Sequence, residues 1–323
     1  MKILYSIQGT GNGHISRARE IIPHLKKYGS LDLLVSGTQV EVALDDPIKY
    51  RFHGFGFVFG ENGGVDFRKT MQQFNFRQFV KDCKNLPVKD YDVIINDFEP
   101  VTAWACKFKQ KDSLALSHQS AFLSAKTPQL LGFHWGKFIM NHYAPAKSAV
   151  SFHFKKYDNF INTPVIRSEI RRLKPKNLGH YTVYLPAYSD RFILDLVQKH
   201  PNIQWEIFSK HTDVSYEEGN AKVLKINNTG FNKSLENCAG LLTGGGFEGP
   251  AEALFLKKKL LCVPMSNQYE QQCNALALDE MGVLVVWKKQ EFEKKLKLFL
   301  EDNHVISVHY PDETESIVAA LFP

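Results

Sequence analysis

The sequence predicts an α/β protein built from two doubly wound parallel-sheet domains. Short apolar strands alternate with longer helical stretches along most of its 323 residues, the pattern of repeated βα units. Twice, a strand runs into a glycine-rich turn that opens a helix, once over residues 9–14 and once over residues 243–250. One break in character separates the two series, near Asn162-Thr163-Pro164-Val165. A chain of this length holds two domains of roughly 100–200 residues each. Two such sheets facing one another leave a central cleft at their strand C-termini, where ligands bind in folds of this class.

Residues 2–8 read as the first strand, and a helix follows over about 15–28. Strands over 31–36, 52–59, 92–96 and 114–117 continue the first sheet, and 149–154 closes it. A proline, a basic helix-like stretch and Lys174-Pro175-Lys176-Asn177-Leu178-Gly179 form the linker, dividing domain 1–165 from domain 166–323. The second series runs through 181–185, 203–208, 223–226, 240–243, 260–263 and 283–286, with a closing helix over 313–321.

Hydrophobic residues make up 44% of the chain and charged residues 23%, so a core forms without disulfide or metal staples. The five cysteines, Cys83, Cys106, Cys238, Cys262 and Cys273, are odd in number and form no CxxC pair, which points to a reduced, cytoplasmic protein. Met1-Lys2-Ile3-Leu4-Tyr5-Ser6-Ile7 is interrupted too soon for a signal peptide. Uncharged runs such as 113–125 fall short of the ~20 residues that span a bilayer. The net charge of +6 is scattered, with clusters at Lys155-Lys156, Arg171-Arg172-Leu173-Lys174 and Lys257-Lys258-Lys259. These read as solvated surface, and secondarily as a weak attraction to anionic headgroups or phosphorylated ligands. Aromatic residues are not interleaved with them, so no nucleic-acid partner is expected.

In the first glycine loop, Gly11, Asn12 and Gly13 lead to His14. Glycines let backbone N–H groups approach a ligand, and the helix N-terminus favours negative charge. The spacing is GxGxG, and the second strand ends in Ser36-Gly37 where a dinucleotide site would carry an acid. A histidine at a helix N-terminus has its protonated form disfavoured by the dipole, which suits a general base. The alternative is a surface capping residue.

The second loop is more specific. Leu241-Leu242-Thr243-Gly244-Gly245-Gly246-Phe247-Glu248-Gly249-Pro250 carries a buried strand into three glycines and a helix start, a cradle for a diphosphate. Glu252 follows within the first turns, where its carboxylate can accept from ribose hydroxyls. After Val263-Pro264-Met265, the polar run Asn267-Gln268-Tyr269-Glu270-Gln271-Gln272-Cys273-Asn274-Ala275 starts another helix at a strand end.

The whole segment from Thr243 to Val283 resembles the donor-binding region of the glycosyltransferases typified by the peptidoglycan N-acetylglucosaminyltransferase, with related UDP-glycosyltransferases and galactolipid synthases (a family-28-like group). Glycine loop, helix glutamate, VP turn, Q and NA follow in the same order over about forty residues. The resemblance implies the GT-B fold of two Rossmann-like domains, with a nucleotide-sugar donor gripped by the C-terminal half and an acceptor by the N-terminal half. It places Gly245, Gly246 and Phe247 on the phosphates, Glu252 on the ribose, Gln271 on the sugar and 228–231 near the base. Gly11-Asn12-Gly13-His14 is similar to the family's N-terminal loop, and Ser117-His118-Gln119-Ser120 to its polar acceptor-facing loop. Thr163-Pro164-Val165-Ile166-Arg167 is similar to its linker, whose arginine approaches the diphosphate; here the arginine stands one residue late. In plant-type relatives an aspartate comparable to Asp97 orients the base histidine. The other reading of Asp97 is a cap for the following helix. Glu99 is a further candidate for acceptor hydroxyls.

Asp90-Tyr91-Asp92 has the form of a metal-chelating DxD but precedes its strand, so no metal is expected. No HExxH, paired Cys/His spacing or GxSxG elbow occurs. The apolar stretch 130–143 reads as core, with a membrane-contacting face as the alternative if the acceptor is a lipid. Residues 52–59 share that alternative, and the loop 60–66 is a candidate flap over the acceptor. The resulting expectation is an inverting, metal-independent transferase with no cofactor beyond its nucleotide-sugar co-substrate, UDP-linked, and with His14 as base. Its partner would be a glycan or lipid-linked acceptor, met in the cytoplasm or at the inner face of the membrane. The rival readings are a nucleotide-sugar hydrolase or 2-epimerase, and a non-catalytic sugar-nucleotide or glycan-binding protein.

Overall fold

The computed structural model describes residues 1–10, 12–37, 44–54, 72, 74–132 and 134–322. The chain divides into two compact units, the second being Ser168–Tyr310. Each is a parallel-dominated sheet with helices, as the α/β pattern predicts.

The first unit contains β1 (Lys2–Gln8), α1 (Asn12–Leu25), β2 (Ser30–Ser36), β3 (Ile48–Phe52), α2 (Phe76–Asn85), β4 (Val93–Asp97), α3 (Pro100–Phe108) and β5 (Leu114–Leu116). A 3-10 segment, His118–Leu123, then leads to α4 (Trp135–Tyr143), β6 (Ser148–Phe152) and β7 (Ile161–Asn162). The strand order is β3-β2-β1-β4-β5-β6-β7, and each of these neighbours pairs in parallel. Six of the seven residues of β1 are buried, because helices cover both faces of a central parallel strand. The order reverses between β1 and β4, so the loops leaving these strands diverge and open a crevice at their C-terminal ends.

Two boundaries differ from the sequence reading. The third strand is Ile48–Phe52, and residues 55–59 of the expected strand lie outside the described residues, as do Gly11 and the loop 60–66. The first helix begins at Asn12, so His14 stands in its first turn.

In the second unit, α5 (Ser168–Arg171) precedes β8 (Tyr181–Tyr184), α6 (Asp190–Val197), β9 (Trp205–Ser209), β10 (Tyr216–Glu218), β11 (Ala221–Lys225), α7 (Asn228–Asn237) and β12 (Gly240–Gly244). Then come α8 (Glu248–Phe255), β13 (Lys259–Val263), α9 (Tyr269–Glu280), β14 (Leu284–Val285) and α10 (Phe292–Glu301). The order is β10-β11-β9-β8-β12-β13-β14, with β10 antiparallel to β11. Here the reversal lies between β8 and β12, which puts the second glycine loop at a switch point.

The closing helix, assigned by sequence to the second domain, belongs to the first unit, which takes the chain back from Pro311. There α11 (Thr314–Ala319) packs on α1. Tyr28 and Phe322 stack with ring centroids 4.2 Å apart, and Lys156 pairs with Glu313 at 2.9 Å.

In the cluster Lys257–Lys259, read as solvated surface, Lys257 is exposed but the other two are not. Lys258 is 4% exposed, and its ammonium donates to the carbonyls of Lys176, Glu236 and Cys238. It caps the C-terminal end of α7 and ties the linker to it. Lys259 is also buried, donating to the Tyr181 hydroxyl at 3.0 Å. The stretch 130–143, read as core, is the reverse. Leu131 is 94% exposed, Trp135 68% and Phe138 50%, and Tyr143 alone among the described residues of α4 is buried.

Candidate active site

The crevice of the first unit gathers side chains from three neighbouring strand ends. Ile7 and Asp97 are partners in the β1–β4 register, which sets the Asp97 carboxylate beside the loop that leaves β1. His14 returns from that loop in the first turn of α1, with Nδ1 2.8 Å from Asp97 Oδ1. From the 3-10 segment after β5, Gln119 brings its Nε2 to 3.3 Å from His14 Nε2. Ser151 of β6 fixes that segment by donating to the carbonyls of Ser117 and His118.

Asp97 is wholly buried. Burial alone would raise its carboxyl, but the charge of Arg17, together with His14, outweighs it and holds the group below the ordinary value. An ionised carboxylate only accepts hydrogen bonds, so the ring nitrogen facing it carries the proton. His14 Nε2 then keeps its lone pair, and the Gln119 amide is the donor to it. The contacts with Asp97 and Gln119 fit one tautomer, Nδ1–H directed at Asp97 and Nε2 open to accept a proton; Arg17 Nη2, 3.1 Å from Nδ1, then donates to Asp97 and not to the ring.

Arg17 was not foreseen among the site residues. It lies one turn beyond His14, 2% exposed, and donates through Nη2 to both Asp97 oxygens at 2.7 and 2.9 Å and through Nε at 3.2 Å.

The other residues assigned to the acceptor side divide. Asn12 and Gly13 open α1 beside His14, while Gly11 lies outside the described residues. Glu99 is not directed at a ligand: fully buried, it caps α3, accepting from Val101 N at 2.7 Å, Thr102 N at 2.6 Å and Ser36 Oγ at 2.7 Å. The helix cap anticipated as an alternative role for Asp97 is thus supplied two residues later. Burial raises the Glu99 carboxyl above its ordinary value despite these bonds. Between the two acids, Phe98 adopts a left-handed φ of 56°, costly for a bulky residue, and its ring stacks on Tyr143 at 4.7 Å. His118 also turns inward, its Nδ1 2.8 Å from the Phe152 carbonyl, so the expected pair is split and only Gln119 reaches His14.

In the second unit the glycine loop follows β12 and meets the start of α9. A Cβ on Gly245 would lie 2.5 Å from the Gln271 carbonyl oxygen, whereas at Gly246 nothing stands within 4 Å. Gln271 Oε1 accepts from Gly245 N at 3.2 Å and Met265 N at 3.0 Å, and Asn274 donates to the Gly245 carbonyl at 3.0 Å. Gln271, expected on the sugar, thus braces the loop in this structure. Phe247 is buried where α8 begins, with no side-chain cap on that helix. Its first N–H groups keep the polarity that attracts a phosphate. Glu252 lies in α8, 4% exposed. Arg167 is the last residue of the first unit before Ser168.

Asp90 and Asp92 stand before β4, at the end of the sheet opposite this crevice, where Asp92 accepts from the Lys2 amide at 2.7 Å. Among the described residues no group of three or more His, Cys, Asp or Glu side chains is arranged to hold a metal ion. No described helix is long and apolar enough to cross a membrane.

No curated protein matches the chain. Among solved structures it is similar to MurG of Acinetobacter baumannii, with 13% identity, 99% of both chains covered and a TM-score of 0.60. It is similar to a UDP-glucosyltransferase from Polygonum tinctorium capable of glucosylating indoxyl, with 12% identity, 99% of this chain and 93% of that chain covered and a TM-score of 0.60. Phytolacca americana UGT2, complexed with UDP-2fluoro-glucose and pterostilbene, matches at 11% identity over 99% and 93% of the chains with a TM-score of 0.60. These likenesses establish the fold as GT-B, two Rossmann-like domains. The model of glycosyl transferase family 1 matches residues 1–302, nearly the whole chain, and the protein therefore belongs to that family of glycosyltransferases.

Proposed function

We propose that the chain transfers a sugar from a UDP-sugar to an acceptor hydroxyl with inversion, using His14 as general base. The observation that carries this reading is the placement of the His14 ring: Nδ1 lies 2.8 Å from a buried carboxylate, and Nε2 faces the Gln119 amide. An acceptor hydroxyl taking the place of the Gln119 amide at Nε2 gives up its proton as its oxygen attacks the anomeric carbon. Single displacement is favoured because the carboxylates of this crevice, Asp97 and Glu99, are buried and engaged, which leaves neither as a nucleophile for a two-step retaining route. In this reading the second unit holds the donor: the N–H groups around Gly246 and Phe247 take the diphosphate, Glu252 the ribose, and Arg167 adds charge. UDP is the nucleotide in the complex of the Phytolacca americana relative, and that supports UDP here.

The acceptor side carries a second proposal, peripheral contact with the cytoplasmic face of a membrane. The support is the exposed apolar set Trp135 and Phe138 on a short helix with Lys137 and His142, with Leu131 exposed just before it, the composition of an interfacial segment. Tyr143, the last residue of α4, accepts from Gln8 Nε2 at 2.8 Å and stacks on Phe98, so the segment is anchored directly on the crevice.

A thermal-shift panel of UDP, GDP, CMP and TDP with their sugars tests the donor. A ligand at a hundred times its Kd stabilises by about 2.7 kcal/mol, and UDP should do so selectively, with the effect lost in Glu252→Ala. His14→Ala should abolish UDP release while the UDP-induced shift persists. Unchanged turnover in that variant removes His14 from the chemistry, and a CMP preference moves a hydrolase to the front.

A further inference from the structure

We infer that Arg17 is a positioning residue for the reaction, the third member of a buried His14–Asp97–Arg17 array that keeps the carboxylate aimed at His14. The inference rests on the general-base reading of His14 and extends it to a residue that touches neither substrate. Three observations carry it. Arg17 and His14 are spaced i, i+3 on α1 and so share a face of the helix. The Arg17 guanidinium grips both oxygens of Asp97 at 2.7 and 2.9 Å through one nitrogen, with a second nitrogen at 3.2 Å. The same Nη2 stands 3.1 Å from His14 Nδ1, and its guanidinium carbon lies 5.7 Å from the Phe152 ring centroid, which walls the group from the far side.

The grip has two chemical consequences. A carboxylate buried this completely would otherwise take up a proton, and a protonated Asp97 would offer His14 a donor where an acceptor is needed. The fork also fixes the carboxylate rotation, so that Oδ1 stays in line with Nδ1. A lysine cannot reproduce that, since it supplies a point charge in place of a planar fork. The array is neutral overall when His14 is neutral.

The ionisable groups facing the array come from three elements: His14 and Arg17 from α1, Asp97 from β4, and Tyr5 from β1, whose hydroxyl is 3.5 Å from Asp97 Oδ2. Tyr5 is wholly buried and held neutral well beyond its ordinary range. Gln119 faces Nε2 but carries no charge. His118, next to it, is turned to the Phe152 carbonyl. Removing the Arg17 charge therefore raises the proton affinity of the His14–Asp97 pair, whichever of the two takes the proton.

The test is the pH titration of the His14 ring by NMR on histidine-labelled protein, the resonance identified by its absence in His14→Gln. In Arg17→Gln the midpoint should move up by at least one pH unit, a tenfold gain in proton affinity. In Arg17→Lys the midpoint should stay within a few tenths of wild type, while UDP release from a UDP-sugar falls at least tenfold with the donor KM unchanged. A His14 midpoint unmoved in Arg17→Gln, or wild-type turnover in Arg17→Lys, overturns the proposal. If Arg17→Gln does not fold, the Arg17→Lys kinetics decide alone. The base reading fails separately, through full turnover in His14→Ala, and the NMR shift would still be read in that event.

Discussion

Asp97 lies opposite Ile7 in the register of β4 on β1, and seven residues on from Ile7 the chain returns His14 to within 2.8 Å of the same carboxylate. The pairing is therefore made by two adjacent strands and the first turn of the helix that follows one of them. Its geometry depends on the sheet and not on flexible surface chain.

Asp97→Asn should reduce turnover by roughly 10²–10⁴-fold, the range of general acid–base assistance, with the UDP-induced thermal shift retained. The same change leaves Arg17 buried without its counter-charge and should cost about 3–5 kcal/mol of stability, read by urea denaturation. The carboxyl is held below its ordinary value of 3.8. Its contribution is thus present above that value and is lost as pH falls through the lower folded value. Wild-type stability should accordingly drop more steeply than that of Asp97→Asn on acidification.

Glu99→Ala should behave as a capping mutant, losing about 1–2 kcal/mol with little change in acceptor KM. Here the sign is opposite to that of Asp97. Burial raises the Glu99 carboxyl above 4.5, so the folded state holds that proton more tightly than the unfolded chain. Its stabilising effect is greatest below 4.5 and declines as pH rises through the folded value, so the loss on mutation should be larger near about pH 4 than near about pH 7. Denaturation curves at the two pH values decide this.

Two neighbouring glycines should separate packing from ligand contact. Gly245→Ala drives a methyl to 2.5 Å from the Gln271 carbonyl oxygen, and overpacking of this kind costs about 1–3 kcal/mol. It should displace the loop and abolish UDP binding. Gly246→Ala meets no protein atom within 4 Å. Its melting temperature should equal wild type in the absence of nucleotide, while its response to UDP falls, because the space is kept for the ligand. Calorimetry with and without UDP distinguishes the two.

The exposed apolar helix should be dispensable for folding and needed at membranes. Trp135→Ala/Phe138→Ala should melt within about 1 °C of wild type, as surface changes do, and should fail to co-sediment with vesicles containing anionic lipid. Wild-type Trp fluorescence should shift to the blue on those vesicles. Equal sedimentation of both proteins would remove α4 as the membrane contact.

Arg17 shows where the sequence reading stopped short. Ile15, Ala18, Ile21, Ile22 and Leu25 form the buried stripe of α1, and position 17 lies on its edge, beside His14 and Ile21. A charged residue on a buried stripe asks for a buried partner, and that signal was present in the sequence. Nothing in the sequence said which acid would answer it. The lysine cluster misled for a related reason: three consecutive charges look solvated, but Lys258 finds two helix-end carbonyls and one from the linker that only the folded chain brings together. The stretch 130–143 looked like core by composition, and among its described residues the fold buries only the last, Tyr143, leaving Trp135 and Phe138 exposed.

What the sequence determined by itself is the framework. Apolar runs with βα spacing specify the two parallel-dominated sheets, because each strand must be covered on both faces. The two glycine loops mark the points where a strand end meets a ligand, because only a backbone without side chains can approach so closely. What the tertiary structure decided is which of the two roles weighed for Asp97 it fills: it contacts His14 and does not cap the following helix. Asp97 and Glu99 are two residues apart, and a regular strand would turn both to one side. The left-handed φ of Phe98 breaks that alternation, sending Asp97 to the histidine and Glu99 into the cap of α3. The strain at Phe98 is sustained by packing on Tyr143, a contact 45 residues away in the chain (143 − 98) that local sequence could not supply.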